Sequence, residues 1–226
     1  MFKNIRSLRK QIKNFAILAR RYGQFETMKK WSCLDREGRP IPWYTYPAIE
    51  YLASLDLSGM KVLEYGSGNS SLWWAERCKE LVSVENDRAW YENIKNSAPV
   101  EKPFSYLFET SEQPYVRQPC LEGADIVIVD GVYRPRCIDW FIESEKNAKT
   151  RAALLIFDNS DWYPKTVARL RKALNWIEVD FHGFGPINAY TWTTSIFFRP
   201  EYQERLQYAR PLSSVAGIVQ AAAEDA

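Results

Sequence analysis

Glu64-Tyr65-Gly66-Ser67-Gly68-Asn69-Ser70 is the stretch that decides the fold. The run Lys61–Tyr65 leading into it reads as a β-strand, and residues 70–77 leaving it read as a helix. Glycines between a strand and a helix set up a nucleotide-binding turn. They permit the tight bend and let a ligand approach the backbone.

Outward from this loop, strands and helices alternate. A short helix is predicted over 47–55, ahead of the first strand. After the loop come a strand over 81–85, a helix over 88–96 and a strand over Phe104–Phe108. Apolar strands follow over 126–130 and 153–158, with helices over 137–146 and 164–174. Two closing strands, 176–181 and 193–198, are separated only by a Gly/Pro-rich turn region. Repeated βα units build a parallel sheet with helices on both faces. The expectation is therefore an α/β, doubly wound, mostly parallel seven-stranded sheet with an antiparallel edge strand. Residues 46–200 would form this domain, after an N-terminal helix and entry segment (1–45) and before a tail (201–226).

Carboxylates narrow the ligand. Glu85 closes the second strand, where it can accept both hydroxyl hydrogens of a ribose. Glu64 stands just before the glycines, a poor position beside a pyrophosphate and a suitable one near a cationic group. No third glycine of a dinucleotide loop follows, and serine stands at Ser70 and Ser71 instead. In this pattern the chain, from about Pro47 to Phe198, resembles the class I S-adenosylmethionine-dependent methyltransferases, which are Rossmann-like. The resemblance rests on Glu64-x-Gly66-x-Gly68, Glu85, Val129-Asp130-Gly131 and Phe157-Asp158-Asn159. It implies that Glu64, Gly66, Ser67, Gly68, Asn69, Ser70, Glu85, Asn86 and Asp130 contact S-adenosyl-L-methionine. Adenine would lie near Glu109, Thr110 and Ser111.

The acceptor side is less defined. Asp130, Asp158 and Asn159 end two apolar strands, and three such oxygens can hold Mg²⁺, which would lower the pKa of a substrate hydroxyl. This arrangement resembles the cation-dependent O-methyltransferases of the catechol type. The segment Gly131-Val132-Tyr133-Arg134 departs from their pattern, and their lysine base is absent. Substrate contact or helix capping by the same residues is the alternative. His182, the only histidine, is either a general base or a turn residue. Asp130, His182 and Tyr133 are the catalytic candidates. Arg134 is a candidate for gripping an anionic substrate, and Trp43 and Tyr44 for covering it. Trp73-Trp74 reads as core packing.

The expected activity is methyl transfer to a small molecule, at oxygen. An inactive S-adenosylmethionine- or S-adenosylhomocysteine-binding regulatory protein is a second reading, and a nicotinamide-dependent oxidoreductase a third. The acceptor stays open among sugars, phenols, lipid headgroups and natural-product intermediates. The fourth strand does not end in the Asn/Asp-Pro-Pro-aromatic run of enzymes that methylate nucleobase or glutamine nitrogen.

Composition sets the remaining bounds. A net charge of +2 gives no reason to expect a nucleic-acid partner. Four cysteines without a CxxC pair argue against zinc and fit a reducing cytoplasm. The charge is uneven, however. Residues 1–30 hold nine Lys or Arg and one Glu, near +8, which leaves the rest near −6. Phe2, Ile5, Leu8, Ile12, Phe15, Ala19 and Tyr22 recur at steps of three and four, the spacing of an amphipathic helix. Such a helix packs on its own domain, joins a homodimer or lies on an anionic membrane.

Overall fold

The computed structural model describes residues 2–97, 104–201, 207–208 and 214–217. Most of the tail expected over 201–226 lies outside the described residues. In chain order the elements begin with α1 (Phe2–Ala16), a π-helical turn (Ile17–Arg21), α2 (Gln24–Lys30), α3 (Tyr46–Ala53) and β1 (Leu55–Asp56). The glycine loop joins β2 (Lys61–Tyr65) to α4 (Asn69–Ala75). Then come β3 (Glu80–Glu85), α5 (Arg88–Ser97), β4 (Phe104–Phe108) and α6 (Glu112–Val116). The second half holds β5 (Ile126–Val129), α7 (Arg134–Lys146), β6 (Leu154–Asp158) and α8 (Pro164–Ala173). It closes with β7 (Ile177–Gly183), β8 (Trp192–Phe198) and β9 (Gln207–Tyr208), which pairs with β1 apart from the main sheet.

The seven strands lie in the order β4-β3-β2-β5-β6-β8-β7. The first five of these are mutually parallel. β8 pairs antiparallel with both β6 and β7. The doubly wound sheet expected from the sequence is therefore present. Its antiparallel strand sits one place inside the edge, and the edge strand β7 runs with the other five. A dinucleotide-binding sheet in the order 3-2-1-4-5-6 lacks this inserted strand.

Alternation along the strands explains the two-faced core. Val62, Ile126, Ile128, Leu154 and Ile156 point to one face, where they meet Leu52 of α3 and Trp73 and Trp74 of α4. Leu63, Tyr65, Val127, Val129, Leu155 and Phe157 point to the other, against Phe141 of α7 and Leu170 of α8. β5 and β6 are buried at every residue, as befits strands covered on both faces. Each such aliphatic side chain contributes about 1.5–3 kcal/mol on burial.

The chain leaves β2 toward β3 and β4, then returns to the other side of β2 to form β5. This reversal opens a crevice beyond the carboxyl ends of β2 and β5, where open α/β sheets bind ligands. α2 and α6 were not legible in the sequence, and β7 runs past its expected end to Gly183. His182 therefore lies within an edge strand and not in a turn.

Candidate functional site

The crevice is a cavity of about 740 Å³, within the ~300–1,000 Å³ usual for small-molecule sites. One wall is built from a single continuous stretch, β2 to α5. Gly66 turns the chain with φ +98°, and a Cβ there would lie 2.6 Å from the backbone nitrogen of Gly131. The ends of β2 and β5 thus touch backbone to backbone, which only glycine allows. Gly68 has ordinary extended geometry and lies under the indole of Trp90.

Glu85 faces this loop from the end of β3. Its Oε1 accepts the backbone N–H groups of Asn86 (2.8 Å) and Asp87 (2.9 Å), and its Oε2 accepts the Ser67 hydroxyl at 2.5 Å. Asp87 caps α5 by accepting the Trp90 backbone N–H at 2.8 Å. That places the Trp90 indole to donate to the Ser67 carbonyl at 2.6 Å. Asn86, Asn93 and Ile94 complete the wall.

Glu64 differs from its expected role. It is buried beneath the loop and does not line the cavity. Its Oε1 accepts the Ser70 hydroxyl at 2.5 Å, and its Oε2 those of Ser71 (2.5 Å) and Ser83 (2.6 Å). Burial pushes its pKa up to about 7, against the lowering effect of the three hydroxyls. Direct contact with a ligand is replaced by a clamp that holds β2, α4 and β3 together. Ser70 and Asn69 reach the cavity, but their side chains are also committed inward. The Asn69 amide donates to the Ser32 hydroxyl (3.0 Å) and the Cys33 carbonyl (2.6 Å).

The opposite wall converges from distant segments. Asp130 and Arg134 follow β5, Asp158 and Asn159 follow β6, and Trp162 stands just beyond. Lys30, Trp31, Ser32, Cys33 and Trp43 come from the N-terminal segment, and Ile187, Asn188, Tyr190 and Trp192 from the hairpin β7–β8. Gln24 fixes these two regions by donating to the carbonyls of Gly185 (3.0 Å) and Asn188 (3.2 Å). The Ile187 N–H donates to the Thr27 hydroxyl at 3.0 Å.

Arg134 also departs from its expected role. Its guanidinium donates to the carbonyls of Gly131 (2.9 Å), Asp158 (2.7 Å) and Asp130 (2.6 Å), and to Asn159 Oδ1 (2.8 Å). It also pairs with the Asp130 carboxylate at 3.0 Å. Arg134 therefore ties the ends of β5 and β6, and few of its donors are left for a substrate.

The same contacts work against the Mg²⁺ site. Asp130 and Asn159 already meet a guanidinium, and Asp158 Oδ1 accepts the Thr194 hydroxyl (2.5 Å) and the Trp192 indole N–H (3.1 Å). A fixed cation already holds the Asp130 and Asn159 oxygens, so the set does not fit Mg²⁺. Among the described residues no three His, Cys, Asp or Glu side chains form a metal-holding group.

Burial raises the pKa of Asp130, opposed by Arg134 and aided by Glu85. Burial, then the neighbouring Asp130 charge, raises that of Asp158.

Three other candidates stay outside the cavity. His182 lies in a separate shallow depression with Asp180, and its Nδ1 is 2.8 Å from the Thr193 hydroxyl. Tyr133 caps α7 in a left-handed conformation (φ 54°) and packs edge-on against Tyr115. Tyr44 is wholly buried behind the site. Glu109, Thr110 and Ser111 do not line it either. Trp90, Trp162, Tyr190 and Trp192 do line it, without having been singled out. Only Trp90 carried a readable signal, one helical turn after the Asp87 cap.

No family model matches the chain, and no curated protein does. Among solved structures, one that is similar is the O-methyltransferase TomG from Streptomyces achromogenes in complex with SAM. It shares 18% identity over 66% of this chain and 76% of that one, with a TM-score of 0.48. The N-methyltransferase NodS from Bradyrhizobium japonicum WM9, in complex with S-adenosyl-L-homocysteine, shares 14% over 62% and 78%, with a TM-score of 0.44. Likeness this distant carries no chemistry, which has to come from the cavity itself.

Proposed function

We propose that this protein transfers a methyl group from S-adenosylmethionine to an oxygen of a small-molecule acceptor. The observation that carries this reading is the charge around the glycine loop. Glu85 and Asp130 face the cavity and Glu64 lies buried behind it; of the two cations in the lining, Arg134 is bound to the chain's own carbonyls and Asp130, and Lys30 stands in the N-terminal segment of the opposite wall. Such a site repels a dinucleotide pyrophosphate and attracts a cationic sulfonium. When bound, adenosylmethionine supplies a methyl group on positively charged sulfur. The backbone of Gly66–Gly68 would hold its amino-acid part and Glu85 its ribose, with Trp90 against the adenosine.

Asp130 is the proton acceptor in this reading. As the acceptor oxygen forms its bond to the methyl carbon and the carbon–sulfur bond breaks, the hydroxyl proton passes to the Asp130 carboxylate. The raised pKa suits that task, because a base works best when its pKa is near the working pH. The aromatic rim of Trp43, Trp162, Tyr190 and Trp192 would hold the acceptor and exclude water.

Thermal melting with S-adenosylhomocysteine and with NADH tests the ligand. A melting temperature that rises with adenosylhomocysteine and not with NADH is expected. No rise with adenosylhomocysteine overturns the proposal. Binding of adenosylhomocysteine with no transfer of labelled methyl to any acceptor oxygen would instead select the regulatory reading.

A further inference from the structure

We propose that α1 lies on the surface of an anionic lipid bilayer and docks the protein there. Every residue from Ile5 to Phe15 is exposed, so the expected packing of this helix on its own domain is not found. Ile5, Leu8, Ile12 and Phe15 share one helical face and are between 44% and 71% exposed. Arg6, Arg9, Lys10 and Lys13 cover the adjoining side, and residues 1–30 contain a single acidic residue, Glu26.

A helix of this length is marginal in water by itself, because nucleation is costly and few turns repay it. Its apolar face therefore calls for a partner. Charge indicates which one. Two copies of this face brought together would press two segments near +8 against each other, at separations within the ~8 Å Debye length. Anionic headgroups neutralise the same charges while the acyl boundary receives the apolar stripe. No helix among the described residues is long and apolar enough to cross a membrane, so the geometry is that of a helix lying in the interface.

The segment is also joined to the cavity. α1 continues through the π-helical turn into α2, which carries Phe25 and Met28 outward, and then to Lys30 and Trp31 in the cavity wall. Trp31 is 70% exposed, the disposition of an aromatic at a water–lipid boundary.

The test is co-sedimentation of the full chain with vesicles of phosphatidylcholine alone and with added phosphatidylserine. Binding to the anionic vesicles that weakens with salt is expected. The double variants Ile12→Glu/Phe15→Glu and Lys10→Glu/Lys13→Glu should each weaken it roughly tenfold or more. Both change only exposed positions, so the melting transition without vesicles should not move. Equal binding to neutral vesicles overturns the proposal, as does no binding to either. A concentration-dependent dimer in sedimentation equilibrium that Ile12→Glu/Phe15→Glu dissociates assigns the face to a second copy and also overturns it. None of these readouts depends on methyl transfer.

Discussion

The two walls of the cavity are built in opposite ways. The glycine-loop wall is one unbroken stretch from β2 to α5, and its contacts stay largely within that stretch: Glu85 to Ser67, Asn86 and Asp87, and Trp90 to Asp87 and Ser67, with Asn69 reaching to Ser32 and Cys33. The facing wall gathers residues from the N-terminal segment, the ends of β5 and β6, and the β7–β8 hairpin. Local construction makes the first wall rigid and general. Long-range construction makes the second dependent on the whole fold and free to vary with the acceptor. This is the division expected if one wall holds a common methyl donor and the other a particular substrate.

The sharpest test of that division is Asp130, which under the proposed function belongs to the acceptor wall and borders the donor. Asp130→Asn should lower kcat/KM about 10²–10⁴-fold, the usual range for loss of a general base. Adenosylhomocysteine affinity should change far less. The wild-type rate should fall with acid along a limb above the ordinary carboxylate range, because burial raises the Asp130 pKa and the protonated form cannot accept a proton. The limb should be absent from the residual Asn activity. Equal losses of affinity and rate would erase the distinction between the walls.

Gly66→Ala probes the seam between them. The new methyl meets the backbone of Gly131 at 2.6 Å, where no side chain can give way, and φ +98° is strained for any residue with a Cβ. A loss of roughly 2–4 kcal/mol in urea unfolding is expected. Gly68→Ala serves as the control. Its Cβ would meet only the Trp90 ring at 3.4 Å, so stability should hold while donor binding weakens.

The same contrast explains what the sequence could and could not tell. The sheet was legible because β5 and β6 are short, continuous apolar runs set between helical segments, the local signature of strands covered on both faces. The glycine loop and Glu85 were legible for a similar reason, since strand ends fix their places. Glu64 was located correctly, but its three serine partners were not legible. Its Ser70 and Ser71 contacts are near in sequence, yet whether a carboxylate turns toward a ligand or inward depends on Ser83 on the neighbouring strand. Arg134 lines the cavity as expected, but its ties within the chain were not legible. Its acceptors at Asp158 and Asn159 arrive only when β6 packs beside β5. His182 looked catalytic because the sequence predicts a strand end there, whereas pairing with Thr193 carries β7 past it.

Glu64 provides a third test, of stability against pH. Its folded pKa is raised to about 7 from an ordinary carboxylate value near 4.5. Below the lower value both states are protonated and Glu64 has no pH effect. As pH climbs toward 7 the unfolded chain releases the proton and the native chain retains it, so folding is progressively disfavoured. Above about 7 the cost is constant, on the order of 3 kcal/mol. Glu64→Gln should therefore show a flatter profile between pH 5 and pH 8 in chemical denaturation, after the contributions of other groups common to both proteins cancel. A parallel pair of profiles would mean that Glu64 is ionised in the folded state throughout.

The smallest effect belongs at the outer rim of the acceptor wall. Trp162 is half exposed and its ring centroid lies 6.5 Å from that of Tyr190, which in turn lies 6.1 Å from Trp192. Such spacing leaves aromatic faces and edges available for contact at the mouth. Trp162→Ala removes part of that surface without opening the core, so folding should be little affected. Once an acceptor is known, its KM should rise roughly three- to tenfold, matching about 1 kcal/mol of lost apolar contact, with kcat nearly constant. That pattern marks binding that is equal in the ground and transition states. A fall in kcat instead would mean that Trp162 aligns the acceptor for transfer, and would move the boundary of the reacting centre outward from Asp130 to the rim.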